Sequence, residues 1–236
     1  MEKRFGEPVT GWVPPPGPGP AVMEGRWARL ERLDPGRHAG QVHAANREGD
    51  AIWDYLPYGP FGSEDDWRAW AERMAPIEDP FFYAIRDLAT GRAAGVASYL
   101  RISPEAGSIE VGHINLAPAL QRTPAATEAM ALMMRWTFEA GYRRYEWKCD
   151  ALNVPSRRAA QRLGLSYEGV FRQATVVKGR NRDTAWFAAI DKDWPALWAA
   201  FEDWLAPGNF DAEGRQRVAL SSLTAGVLAA RDPVAD

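Results

Sequence analysis

Cysteine occurs once in the 236 residues, at Cys149, so no disulfide can form within the chain and no metal centre is expected. An excess of charge of one sign is equally lacking. Twenty-eight Lys plus Arg stand against 31 Asp plus Glu, for a net charge of -3 and a pI near 5.7. Such a balance lacks the global basic field that non-specific nucleic-acid binding requires, leaving room only for a local cationic phosphate site. No apolar run reaches the ~20 residues of a membrane span. The stretch that comes nearest, 218 to 230, is broken by Ser221, Ser222 and Thr224, and the start MEKRFGEPVT lacks the apolar core of a secretory signal. No nucleic-acid or membrane partner and a cytoplasmic location are therefore expected.

What is present is the material of a globular core: 46% hydrophobic, 11% aromatic and 25% charged residues. The length suits one elaborated domain or two small ones. Pro14, Pro15, Pro16, Pro18 and Pro20 forbid a helix and predict an extended polyproline arm over residues 1 to 24. From Gly25 a strand is expected, followed by a helix opened by Asp34-Pro35 and running to about Asn46. Residues 47 to 62 mix aromatics with Gly, Pro and Asp, the composition of an ordered loop. Ser63 and the acids Glu64, Asp65 and Asp66 then open a helix to about Met74.

FFYAIRDL, AGVASYLRI and SIEVGHINL read as an antiparallel meander. Thr123-Pro124 opens an apolar helix that stops at Gly141, YRRYEWKCD is a buried strand, and a short helix from about Pro155 stops at Gly164. Two further strands meet at Gly179-Arg180-Asn181, and residues 191 to 236 form a helical extension. The strands before and after the long helix are joined by a crossover and should be parallel. The fold class is thus α+β: a mixed, mostly antiparallel sheet with one central parallel pair, splayed into a cleft, and helices on both faces.

Where SIEVGHINL runs through APALQR into TPAATEA, the free amides of the helix's first turn face whatever lies beyond the strand end. Arg122 adds a guanidinium suited to phosphate oxygens, and Thr123 and Thr127 add hydroxyls. A capped core helix with no ligand is the alternative reading of the same residues.

Over residues 25 to 190 the chain resembles the GNAT superfamily of acyl-CoA-dependent N-acetyltransferases, specifically its RimJ/RimL-type branch. The resemblance rests on the element order, on Gln121-Arg122-Thr123-Pro124-Ala125-Ala126 with Thr127-Glu128-Ala129, and on Asn153-Val154-Pro155-Ser156 through Leu165. Gln121 and Ala126 match the family's phosphate loop; Pro124 replaces its first glycine and removes one potential N–H donor. The resemblance implies acetyl-CoA as co-substrate, gripped by the amides of Arg122, Thr123, Ala125 and Ala126. It also implies that the backbone at Asn115 and Leu116 holds the pantetheine and polarises the thioester, with Asn153 and Ser156 at the thiol end. The family's usual tyrosine acid is replaced by Ala160, which leaves Ser156 as donor to the departing thiolate.

Glu110, on the strand leading to that site, is the candidate base, the alternative being a salt-bridged strand carboxylate. His113 belongs to the opposite face of a regular strand and becomes a second base only if a bulge intervenes. Cys149 is a remote candidate nucleophile on an apolar strand. Trp53, Tyr55, Tyr58 and Phe61, with Asp50, Asp54 and the acids at 64 to 66, suit a cationic amine or peptide end, or else pack among themselves. The tryptophans of the tail, Trp194, Trp198 and Trp204, read as packing and a homodimer contact. The implied function is N-acetylation of a primary amine by direct attack in a ternary complex; an acyl-CoA-binding or assembly module of the same fold is the alternative.

Overall fold

A computed structural model describes residues 3–235. Eight strands form one sheet: β1 (Val22–Glu24), β2 (Ala28–Arg32), β3 (Phe81–Asp87), β4 (Arg92–Ser103), β5 (Ser108–Leu116), β6 (Arg144–Asp150), β7 (Ser166–Val177) and β8 (Arg180–Ile190). Their order is β1-β2-β3-β4-β5-β6-β8-β7, and only β5 and β6 run parallel. The expected mixed sheet with a central parallel pair is the one observed.

Among the described residues six α-helices accompany it: α1 (Pro35–Asn46), α2 (Glu64–Met74), α3 (Pro124–Glu139), α4 (Val154–Arg162), α5 (Trp194–Leu205) and the short α6 (Leu220–Thr224). Their starts follow local chemistry. Asp34 accepts a bond from the Arg37 amide at 3.1 Å and Ser63 one from the Asp66 amide at 3.1 Å, while Pro35, Pro124 and Pro155 occupy first-turn positions that need no N–H. Gly141 and Gly164, with φ of 98° and 88°, end α3 and the α4 turn in the left-handed region that glycine tolerates.

Two cores flank the sheet. Leu30, Ile85, Ile109 and Val111 pack with α3 and α5 on one face; Phe82, Ala84 and Val96 pack with α1, α2 and Trp53 on the other. Glu128 of α3 fixes β2 to the first core by accepting the amides of Arg26, Trp27 and Ala28 at 2.9, 2.6 and 2.7 Å.

Both ends of the chain depart from the simplest expectation. The proline-rich arm is laid against the sheet and the end of α3: Tyr142 donates to the Pro16 carbonyl at 3.0 Å, Tyr83 to that of Pro20 at 2.8 Å, and β1 adds an edge strand that the proline content hides. The tail wraps α4. Asp232, fully buried, takes Nε and Nη2 of Arg157 at 2.6 and 2.5 Å. No helix among the described residues is long and apolar enough to cross a membrane.

Candidate active site

β5 and β6 pair from Ser108–Arg144 to Val111–Trp147 and then part. Beyond that point β5 continues along β4 while β6 follows β8, and the gap between them opens at the sheet's centre. Because Ala117 donates to the Ala94 carbonyl at 2.9 Å, alternation makes Asn115–Val96 a mutually bonded pair and turns the Leu116 amide away from β4, toward the gap. Of the two backbone positions expected to serve the thioester, Leu116 is therefore the one with its N–H on the open side. The Asn115 side chain is buried on the other face, where its Oδ1 accepts from Asn46 at 2.9 Å.

A bulge decides the face of His113. Two residues of β5, His113 and Ile114, oppose Ala97 alone, and His113 adopts φ 50°. The extra residue places His113 beside Phe82 and Tyr58, at ring separations of 5.2 and 5.6 Å, on the same face as Glu110. The opposite-face expectation for a regular strand fails because the strand is irregular there. Burial, together with the charges of Arg101 and Arg182, lowers the His113 pKa to about 4, so the ring is neutral at pH 7 and a weak base.

Glu110 is 3% exposed and bound on both oxygens: Arg101 Nη1 lies 2.7 and 2.8 Å from them and Lys148 Nζ 2.9 Å from Oε2. Burial pushes its pKa above the ordinary carboxylate value, against the pull of Lys148 and Arg101. Base and ion-pair readings therefore meet in one residue. Neither cation was flagged by the sequence: Arg101 reaches Glu110 through a left-handed backbone, φ 47°, and Lys148 through the β5–β6 register.

At the start of α3, Thr123 Oγ1 takes the Ala126 amide at 3.1 Å. The Thr127 hydroxyl bonds the Thr123 carbonyl at 3.3 Å and receives Arg162 at 3.2 Å. Ala126 and Thr127 are thus occupied by helix capping and packing, whereas the amides of Arg122, Thr123 and Ala125 have no acceptor among the described residues, and the exposed Arg122 side chain has no ion-pair partner. Gln121 faces back to the Leu116 carbonyl at 2.9 Å. Three amides and a guanidinium suit a diphosphate.

On α4, Asn153 Oδ1 caps the helix by accepting the Ser156 amide at 3.1 Å, and Ser156 Oγ accepts from Trp147 Nε1 at 3.0 Å, leaving its own proton to donate. Cys149 lies beside it, but burial pushes the thiol up to about 11, so the nucleophile reading has no thiolate to use at neutral pH. The aromatic loop splits between its two readings. Trp53 is buried against Phe61 at 5.3 Å, Tyr55 is exposed and donates to the Leu152 carbonyl at 3.2 Å, and Tyr58 is packed with a buried, unpartnered hydroxyl. Glu64 is held by Arg68, and Asp66 with Ser63 at 2.7 Å caps α2.

Comparison with known proteins accounts for this arrangement. Residues 29–166 match the family model described as an acetyltransferase (GNAT) domain. The chain belongs to the GNAT acetyltransferase family. A GCN5-related N-acetyltransferase from Brucella melitensis is 43% identical, with 92% of this chain and 100% of that one superposed at a TM-score of 0.90. A protein described as a probable GNAT acetyltransferase from Chromobacterium violaceum is 38% identical over 83% of this chain and 99% of its own, at 0.77. RimL, an alpha-N-acetyltransferase of ribosomal L7/L12, is 21% identical over 72% of this chain and 93% of its own and shares the fold, at 0.60. No curated protein matches the sequence. The splayed strands and the open first turn of α3 are thus parts of a GNAT domain.

Proposed function

We propose that this GNAT chain moves an acetyl group from acetyl-CoA to a primary amine, of a small molecule or a protein N-terminus in the manner of the RimJ/RimL-type branch, within a ternary complex. The observation that carries the reading is the gap past Val111–Trp147, with unengaged amides and Ser156 toward the α3–α4 side and Glu110 on the α1–α2 side. Co-substrate and acceptor can then approach one carbon from opposite faces.

The amine nitrogen attacks the thioester carbonyl, whose growing negative charge is met by the Leu116 N–H. The carbon–sulfur bond breaks as the amide forms. One proton leaves nitrogen and is accepted through water by Glu110, which later releases it to solvent; the thiolate, steadied by a hydrogen bond from the Ser156 hydroxyl, takes one proton from solvent, so that the count balances. The test combines thermal stabilisation by acetyl-CoA with thiol release across an amine panel. Stabilisation, amine-dependent thiol release and a roughly tenfold weaker acetyl-CoA affinity in Arg122→Ala are expected, the loss of one charge-assisted contact of ~1.5 kcal/mol. Stabilisation without thiol release for any amine would make the chain a binding module, and no stabilisation would dismiss the site.

A further inference from the structure

The wall that faces the acceptor carries one cation that has no ion-pair partner among the described residues, although Asp150 shares its face opposite Thr184. Glu110, Glu146 and Glu168 are matched by Arg101, Lys148 and Arg144 in a continuous chain of ion pairs. Arg182 stands outside it. On β8, Arg182, Thr184 and Trp186 share one face by alternation, and Lys148 Nζ sits 3.9 Å from the Trp186 ring centroid while bonding Glu110, which fixes that face as the Glu110 side. Arg182 is half-buried, its Nε is fully sequestered, and its side chain has no hydrogen bond or ion pair among the described residues. Its charge is felt at His113.

Three neighbours on the same wall are also short of partners: Tyr58 Oη, His113 Nδ1 and Trp186 Nε1 are buried and unbonded. Buried polar atoms left unpaired are costly and uncommon, and an oxygen acceptor brought against them by a small side-chain shift would relieve that cost. Two of the four are N–H groups that only donate and a third is a hydroxyl able to donate, beside a fixed positive charge. That combination matches oxygen atoms bearing negative charge and penalises a second cation. The exposed acids Asp50 and Asp54 open and cap the short helix at 50–53, outside this set.

Building on the acetyl-transfer reading, we infer that the acceptor amine also carries an anionic oxygen group, a carboxylate or a phosphate, which Arg182 receives with Trp186 and Tyr58. Guanidinium geometry suits either group in bidentate fashion. The acceptor class is then a small zwitterionic amine, and the negative group holds the amine near Glu110.

The experiment uses matched pairs: L-alanine against L-alaninamide, and O-phosphoethanolamine against ethanolamine. Binding of each to the CoA-loaded protein is measured by calorimetry, and thiol release with acetyl-CoA is measured separately. The expected result is at least tenfold tighter binding of the anionic member of one pair. That ratio should fall to about one in Arg182→Gln and be partly restored in Arg182→Lys. The preferred pair tells carboxylate from phosphate. Equal binding within both pairs, or a preference that Arg182→Gln leaves intact, overturns the inference. Absence of thiol release with intact anion selectivity would instead count against acetyl transfer.

Discussion

Glu110 is pulled two ways, since its two cations favour the charged form and its burial favours the neutral one. The raised pKa means that a base of this kind gains activity as pH climbs through a value above 4.5, because only the deprotonated carboxylate accepts a proton. Glu110→Gln should therefore lower kcat by about 100-fold or more at pH 7 and erase the acidic limb of the pH–rate profile. A carboxylate with only a structural role would lower the melting temperature and leave the shape of that profile unchanged. The residue itself was legible, as a carboxylate on the strand entering the cleft. Its partners were not, since Arg101 depends on one unusual backbone angle and Lys148 on a strand pairing that no local pattern encodes.

Elements whose signals are local matched closely. The caps at Asp34 and Ser63, the prolines opening α1 and α3, and the glycines ending α3 and α4 all act within a few residues, and those boundaries fall where the sequence places them. The β5 bulge and the tail's grip on α4 depend on contacts far along the chain. Arg157 is bound by Asp232 and also donates to the Ala151 carbonyl at 2.7 Å, so the tail steadies the loop that carries Asn153. Asp232→Ala strands a buried guanidinium, and losses of about 3–5 kcal/mol are typical of such a break. Thermal denaturation should show a melting point lower by roughly 10 °C, at about 2–4 °C per kcal/mol for a chain of this size. A shift under about 2 °C would mean that the pair is not holding α4.

The whole molecule has an acid-sensitive joint on its α1 side. Burial of Glu31 opposes its charge, but His38, Arg86 and Arg37 outweigh it and bring the carboxyl down to about 2. A carboxylate whose pKa is depressed by folding contributes stability that is complete above its unfolded value near 4.5 and disappears as pH falls through about 2. Urea denaturation at a series of pH values should show stability dropping across that window, with a shallower fall in Glu31→Gln; parallel curves for the two proteins would exclude the joint. At this scale the order of strands and helices was legible because hydrophobic periodicity and the crossover rule suffice for it. The arm and the tail were not, since one is extended and proline-rich and the other nearly patternless, and each is ordered by what it touches.

The single additional residue at His113 also sets the phase of everything after it in β5. Ile114 and Leu116 face the α3 side and Asn115 the α1 side only because the count is one longer than a regular ladder allows. A one-codon deletion between Gly112 and Asn115 would exchange inside for outside along the rest of that strand, setting Asn115 against the α3 core and turning Leu116 away from it.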